Sequence, residues 1–377
     1  MSDQATLSGL IGCRRVPLGD VVELAYGANL PKAKRRDGPI PVYGSNGVTG
    51  WHDEPLVNGP TVIVGRKGSA GVIHLAEGPS FPIDTTYYTR CRPGVQVDVR
   101  FLAYALRKLD LSRLRTSTGV PGLSREDAYR AQILLPPMGQ QLRIVDLLSR
   151  AENIVRMRRE AEKKAKEIIP ALFLEMFGDP ATNPKGWPTQ TFRDIGTLDR
   201  GRSRHRPRDA PHLYGGPHPF VQTGDVARSG GVITTYAQTY SDAGLAQSKL
   251  WPVGTLCITI AANIAETGVL AFEACFPDSV VGFLPGESVR TDYIQHWLHF
   301  LKPTLAAQAP QAAQKNINLE ILRNLNVPIP PMSLQVVFEE DAKRLRSTEA
   351  CQLAATTVGD QVFQSLLAGV FSEGVAI

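Results

Sequence analysis

LLPPMGQQLRIVDLL, residues 134–148, returns 194 positions later (Pro136 to Pro330) as PIPPMSLQVVFEEDA, residues 328–342. Roughly 120 to 140 residues that match in outline precede each copy, the mark of an internal repeat. Both stretches run from a strand-like entry through a Gly-rich middle to a short helix capped by Ser or Asn, then stop at Pro-Pro-Met. A chain built from two like halves, each closed by a helix, has an approximate two-fold axis.

The first half starts near Val16-Pro17-Leu18-Gly19-Asp20 and ends at Pro137. Its β-like runs, Pro41-Val42-Tyr43, Thr61–Val64 and Val72–Leu75, are separated by turn formers at Gly44–Gly47 and Gly65–Gly71. Leu102, Ala105, Leu106 and Leu109 share one face of a helix over Val99–Leu109, and Ser124 caps a shorter one with Asp127 three residues on. From Phe192 the order repeats. Pro219–Gly224 stands for Pro41–Gly44, Thr255–Ile260 for the Val62 strand, Thr267–Leu270 for Ala70–Ile73, Tyr293–Lys302 for the helix and Asn318 for the Ser124 cap. Strands and helices mix without βαβ alternation, so each half reads as α+β.

Residues 140–177 hold no Gly and one Pro. Leu147, Ala151, Ile154, Ala161, Ala165, Ile168 and Leu172 recur in steps of four and three, broken at Arg158, as in a coiled-coil seam. At 1.5 Å per residue, ~38 residues make a rod of roughly 55 Å, with Pro170 as a bend. Gly178-Asp179-Pro180 stops it. A second, weaker helix runs from about Leu334 to Phe371 on Val337, Leu345, Ala355, Val358, Val362 and Leu366, with Gly359 against it. The expected fold is α+β: two similar domains, 1–138 and 179–331, separated by two long antiparallel paired helices, 139–178 and 332–377, with pseudo-two-fold symmetry. Such a monomer suits the reading of two separated half-sites on duplex DNA.

Composition sets wide bounds. A chain of 377 residues, 43% hydrophobic and 20% charged, supports two globular domains. Net charge of +5 and a pI near 8.9 suit a polyanionic partner. Five cysteines lack any Cys-x-x-Cys pair, no run reaches 18 apolar residues, and the N-terminus has no secretory pattern. A reducing cytoplasm and no membrane are the expectation.

Catalytic motifs are missing where chemistry would need them. Gly65-Arg66-Lys67-Gly68-Ser69 is too short for a nucleotide-binding loop. A methyltransferase needs a cofactor-cradling turn and a Pro-Pro-aromatic or Pro-Cys element, whereas both Pro-Pro pairs here precede Met at helix starts. Glu162-Lys163-Lys164 has the form of half a nuclease signature on a solvated helix face. His296 and His299 have metal-ligand spacing without a third ligand.

Clustered cations carry the positive signal. Lys32, Lys34, Arg35 and Arg36 crowd one loop, and Arg200, Arg202, Arg204, Arg206 and Arg208 alternate around His205 and Pro207 in the corresponding place of the second half. Period two in an extended segment points those guanidinium groups one way, a comb for a phosphate backbone. Base edges call for planar amide and guanidinium groups. Gly-rich loops offer Asn46, Arg66, Lys67, Gln222, Thr223, Asp225, Asn263, Gln314, Lys315 and Asn316, and the segments just before the capped helices, with Thr118 in the first and Gln314–Asn316 in the second, suit a phosphate. Each is equally a turn former taken alone.

The ordered set LLPPMGQQLRIVDLL (134–148), FLEMFGDPATNPKGW (173–187), RSRHRPRDAP with LYGGPHPFVQTGDV (202–226) and QKNINLEILRNLNVPIPP (314–331) resembles the specificity subunit of type I restriction–modification systems. The likeness spans essentially the whole chain, although TGVPGL at 118–123 departs from AQKNIN at 313–318. The resemblance implies two target-recognition domains, each reading half of a bipartite asymmetric DNA site, with the helices as spacer. It implies no catalytic residue and no cofactor in this chain. Two modification (methyltransferase) subunits carry S-adenosylmethionine, and motor/nuclease restriction subunits join them, ATP and Mg being expected on these partners. Leu172-Phe173-Leu174 and Met176-Phe177 offer either a docking surface or a seam that closes a domain on its own helix. A self-sufficient DNA-modifying or DNA-cleaving enzyme and a coiled-coil scaffold are the rival classes.

Overall fold

A computed structural model describes residues 13–116, 121–205, 207–261, 264–308 and 317–371. The chain divides into two units, Met1–Glu160 with Ala354–Ile377, and Ala161–Leu353. In the first, an antiparallel sheet runs in the order Val22–Tyr26, Thr86–Cys91, Thr61–Gly65, Ile73–Ala76. Thr61–Gly65 is buried along its whole length, which is why it reads as an unbroken β-branched run. Helix Val99–Leu109 packs against this sheet through Phe101, Leu102 and Leu106. Asp98 caps it by accepting from the Phe101 N–H at 2.9 Å, and Asp110 ends it in the left-handed region at φ 52°. A smaller sheet, Gly47–His52, Ile40–Gly44, Phe81–Pro82, stands beside it, and a ribbon of Arg14–Pro17 with Gln132–Leu135 closes the domain.

The second unit repeats the framework. Its sheet runs Gly196–Arg200, Val280–Pro285, Leu256–Thr259, Thr267–Leu270, and adds Val232–Ile233 as a parallel fifth strand. Thr189–Thr191 with Asn326–Pro328 forms the closing ribbon. The correspondence reaches single hydrogen bonds: Leu123 N–H to Arg66 O recurs as Ile317 N–H to Ile260 O, each at 2.9 Å. Helix Thr291–Gln308 continues past Lys302 through Pro303, because Leu305 remains anchored in the core. Pro219–Gly224 is strand only to Phe220. At Thr223 a helix begins, since the Asp225 carboxylate accepts from the Gln222 N–H at 2.9 Å.

Both Pro-Pro-Met turns are held by a fully buried glutamine. Gln141 donates to Pro136 O and Gln96 O and accepts from Asp98 N–H. Gln335 donates to Pro330 O and Ser288 O and accepts from Arg290 N–H. Each amide thus accepts from an N–H that the start of a neighbouring helix leaves without a partner, and donates to two carbonyls of the turns around it.

The two long helices span Met138–Phe177, with Pro170 inside, and Met332–Val370, unbroken at Gly359. In the first unit Arg158 reaches Ala355 O and Arg159 pairs with Asp360 at 2.7 Å, while Gly359 lies against Val155. In the second, Lys166 faces Glu349 and Phe173 stacks edge-on against Phe338 at 5.6 Å. Numbers rise on one helix as they fall on the other, so the pairing is antiparallel in each unit.

The seam differs from the sequence expectation by one residue. Leu148, Val155, Ile169 and Phe173 are buried, whereas Ile154 and Ile168 are 52% and 46% exposed. Likewise Thr356 and Leu367 are buried while Val358 and Val362 are exposed. Glu152 explains the slip. It occupies a seam position, accepting from Tyr104 Oη at 2.7 Å and Arg107 at 2.9 Å, so the true register looks polar. The helices also fail to form a layer of their own: Ile144 and Leu148 join the first unit's core, Ile169, Phe173 and Phe177 the second's. Phe173 and Phe177 therefore close a domain on its helix, leaving Leu174 exposed.

Candidate nucleic-acid interface

In the first unit, the predicted basic loop is a single 3-10 turn, Lys32–Lys34, followed by Arg35 and Arg36. Lys32 and Lys34 are exposed. Arg36 is not a free cation: it pairs with Asp53 at 2.6 Å and Glu54 at 3.0 Å. Its hydrogen bond holds the Asp53 carboxyl below the usual range. Arg35 folds inward and donates to Thr49 O at 2.8 Å over Gly50, where any side chain would collide with its guanidinium. Sequence reading counts four charges here, and two of them are engaged with the protein itself.

Asn46 sits exposed at the tip of the Ile40–Gly44/Gly47–His52 hairpin. The tip, the Gly65–Gly71 loop and the segment 121–125 converge through shared backbone bonds. Ser45 Oγ donates to Thr85 O at 2.6 Å, Lys67 N–H to the same oxygen, and Gly68 N–H to Pro121 O at 2.9 Å. Asn46, Arg66 and Lys67 are thereby brought to one side of the domain. Arg66 donates through Nε and Nη2 to Asp84 O, and its guanidinium lies 5.2 Å from the Tyr26 ring centroid.

Two members of this group escaped sequence reading. Tyr26, 51% exposed, ends the strand Val22–Tyr26, and Arg125 opens the short helix Arg125–Arg130 with its guanidinium also 5.2 Å from the Tyr26 ring. The N-cap at Ser124 was legible, but which ring Arg125 meets depends on a partner 99 positions away. Tyr87 lies beneath, 5.2 Å from Tyr26, and burial pushes its phenol up to about 12.

In the second unit the arginine comb is partly realised. Gly201 and Ser203 are buried while Arg202 and Arg204 are exposed, the alternation that period two requires. Beyond His205 the chain turns, and Arg208 pairs with Asp278 at 2.7 Å, which takes it out of the comb. His205 is fixed by its N–H to Gln247 Oε1 and by Nδ1 against Pro207 O. Asp225 is corrected from base reader to structural cap: it is buried, one carboxylate oxygen accepting from Gln222 N–H and the other from Arg228. The Gln222 amide donates to Gln238 Oε1 at 2.6 Å, and Thr223 is the first residue of the helix it caps. Thr118, Arg206, Asn263, Gln314, Lys315 and Asn316 lie outside the described residues.

His296 and His299 do not share a ligand. His296 packs between Phe173 and Phe338 with Nδ1 on Asp292 O at 2.9 Å, and burial pushes it down to about 4, while His299 is exposed. Among the described residues, no group of three His, Cys, Asp or Glu is placed to hold a metal ion. Among them too, no helix is long and apolar enough to cross a membrane.

The profile of the type I restriction modification DNA specificity domain matches residues 12–167 and again 184–356. The type I restriction enzyme EcoprrI specificity subunit of Escherichia coli is 20% identical over 174 residues, 43% of this chain and 43% of that protein. A Methanocaldococcus jannaschii protein assigned as the MjaX specificity subunit is 20% identical over 299 residues, 74% of this chain and 68% of its own length. The match to the first of these thus spans less than half of that relative. The crystal structure of a type I restriction–modification S subunit from M. genitalium superimposes with a TM-score of 0.61 at 15% identity, covering 96% of both chains. A chain from work on complex assembly and conformational transition of the type I R-M system gives 0.61 at 18% identity, over 96% of this chain and 98% of that one. At such identities the likeness is one of fold.

Proposed function

Because the chain belongs to the family of type I restriction modification DNA specificity domains, we propose that it is the sequence-reading subunit of a type I restriction–modification complex. Each unit reads one half of a bipartite, asymmetric site on double-stranded DNA, and the two long helices set the separation of the halves. One observation carries this reading. The two units share a framework down to matched backbone hydrogen bonds, yet mount different side chains on its loops, as two readers of different bases must.

This chain measures and recognises, and two modification (methyltransferase) subunits perform the chemistry with S-adenosylmethionine. Restriction subunits supply a motor and nuclease with ATP and Mg, in the cytoplasm of a bacterial or archaeal cell. Support for docking comes from apolar side chains left outside the helix seam: Ile154 at 52%, Met157 at 64%, Val358 at 56% and Leu353 at 55% exposure. The test is methylome sequencing of cells with and without the gene. A bipartite motif with one modified adenine in each arm should vanish on deletion. An unchanged methylome overturns the assignment.

A further inference from the structure

The two recognition domains can be compared position by position, because the same backbone contacts fix the same places in each. Tyr26 faces Tyr87 across neighbouring strands, as Arg200 faces Val281. Arg66 accepts from Leu123 N–H as Ile260 accepts from Ile317 N–H. Arg125 follows the Ser124 cap as Leu319 follows Asn318. One framework place therefore holds Tyr26, Tyr87, Arg66 and Arg125 in the first unit, and Arg200, Val281, Ile260 and Leu319 in the second. A shared structural need would have kept similar side chains at both; the chemistry instead changes completely.

In the first unit two guanidinium groups stand within 5.2 Å of one half-exposed ring. Two like charges held within about a Debye length, ~10 Å at 0.1 M salt, repel each other unless an anion meets them. Among the described residues no carboxylate pairs with Arg66, while Arg125 has one exposed carboxylate partner, Glu126, at 3.7 Å from its Nε. The Arg125 Nε is buried without a hydrogen-bond partner. Arg66 is immobilised by its two bonds to Asp84 O, and the Tyr87 hydroxyl ties down the neighbouring segment through Leu123 O at 3.1 Å. Glu126 offsets only one of the two charges, and both guanidinium groups are prepositioned against an aromatic ring, which lowers the ordering cost of binding.

We propose that Tyr26, Arg66 and Arg125 form a DNA-backbone clamp peculiar to the first recognition domain, with both guanidinium groups on phosphates of its half-site. The two half-sites are then held unequally. This rests on the DNA-reading function above.

The experiment measures binding of the complex with its modification subunits to duplex carrying its own methylation motif, across a series of salt concentrations. Arg66→Gln and Arg125→Gln should each lower the slope of log affinity against log salt by about 0.9, the signature of one lost phosphate contact. Arg125→Lys, which keeps the charge, should restore it. Arg113→Gln, which removes an exposed arginine already paired with Asp110 at 3.0 Å, should leave the slope alone. Arg125→Gln disturbs none of the hydrogen bonds that hold the loops, so it tests the clamp even if Arg66→Gln fails to fold. Slopes unchanged from the parent complex overturn the clamp, as does an equal fall in Arg113→Gln. If the parent complex itself shows no preference for its motif, the DNA-reading assignment fails instead.

Discussion

At the scale of single residues, the sequence names a charge but not what answers it. Arg36 and Arg208 look like DNA contacts until Asp53, Glu54 and Asp278 are found against them, and Asp225 looks like a base reader until its oxygens are found capping a helix. His296 is the converse case, a histidine whose surroundings give it a measurable consequence. Burial between Phe173 and Phe338 lowers its pKa from the ordinary 6.5 to about 4, so the folded state holds it neutral. The unfolded chain then binds the extra proton first as pH falls. The contribution is intact above pH 6.5 and lost as pH falls towards 4. Between pH 7.5 and 5 it amounts to roughly 2 kcal/mol. Unfolding free energies from urea titrations at the two pH values should therefore converge by that amount in His296→Leu relative to the parent, and an equal acid sensitivity in both proteins would refute it.

At the scale of elements, local rules did well where the cause is local. The Ser124 and Asn318 caps each accept from a backbone N–H as anticipated, and helix Val99–Leu109 has the ends its apolar face implied. Pairing between elements was less legible, because a seam position filled by Glu152 carries no apolar mark. Gly359 shows the same gap. It reads as a weak point in the second helix, but the helix is continuous there and the residue faces Val155 and Arg158. A Cβ at this place would meet Val155 at 3.6 Å and Arg158 at 3.7 Å, ordinary contact distances. Gly359→Ala should accordingly stabilise the protein by about 0.5–1 kcal/mol through helix propensity. A lower denaturation midpoint in the variant would mean that the helices need the closer approach.

At the scale of the whole molecule, both long helices pass through the division between the units, at Glu160/Ala161 and Leu353/Ala354. If they set half-site separation, lengthening both should change the spacer and nothing else. Seven residues inserted in each at these points add two turns, so the seam keeps its face, and extend the helices by ~10 Å, or about three base pairs at 3.4 Å each. Methylome sequencing should return the same two half-sites with a spacer longer by about three. An unchanged spacer would remove the helices from the measuring role.

The repeat of LLPPMGQQLRIVDLL as PIPPMSLQVVFEEDA determined the doubling of the fold by itself, because identical spacing of Pro, Gln and apolar positions forces the same turn, the same buried bracket and the same helix start twice. What only the tertiary structure decided is which charges remain for a ligand. That depends on distant side chains brought into contact, the Asp53 carboxylate at 2.6 Å from Arg36 and the Tyr26 ring beside both Arg66 and Arg125, and no spacing along the chain encodes such meetings.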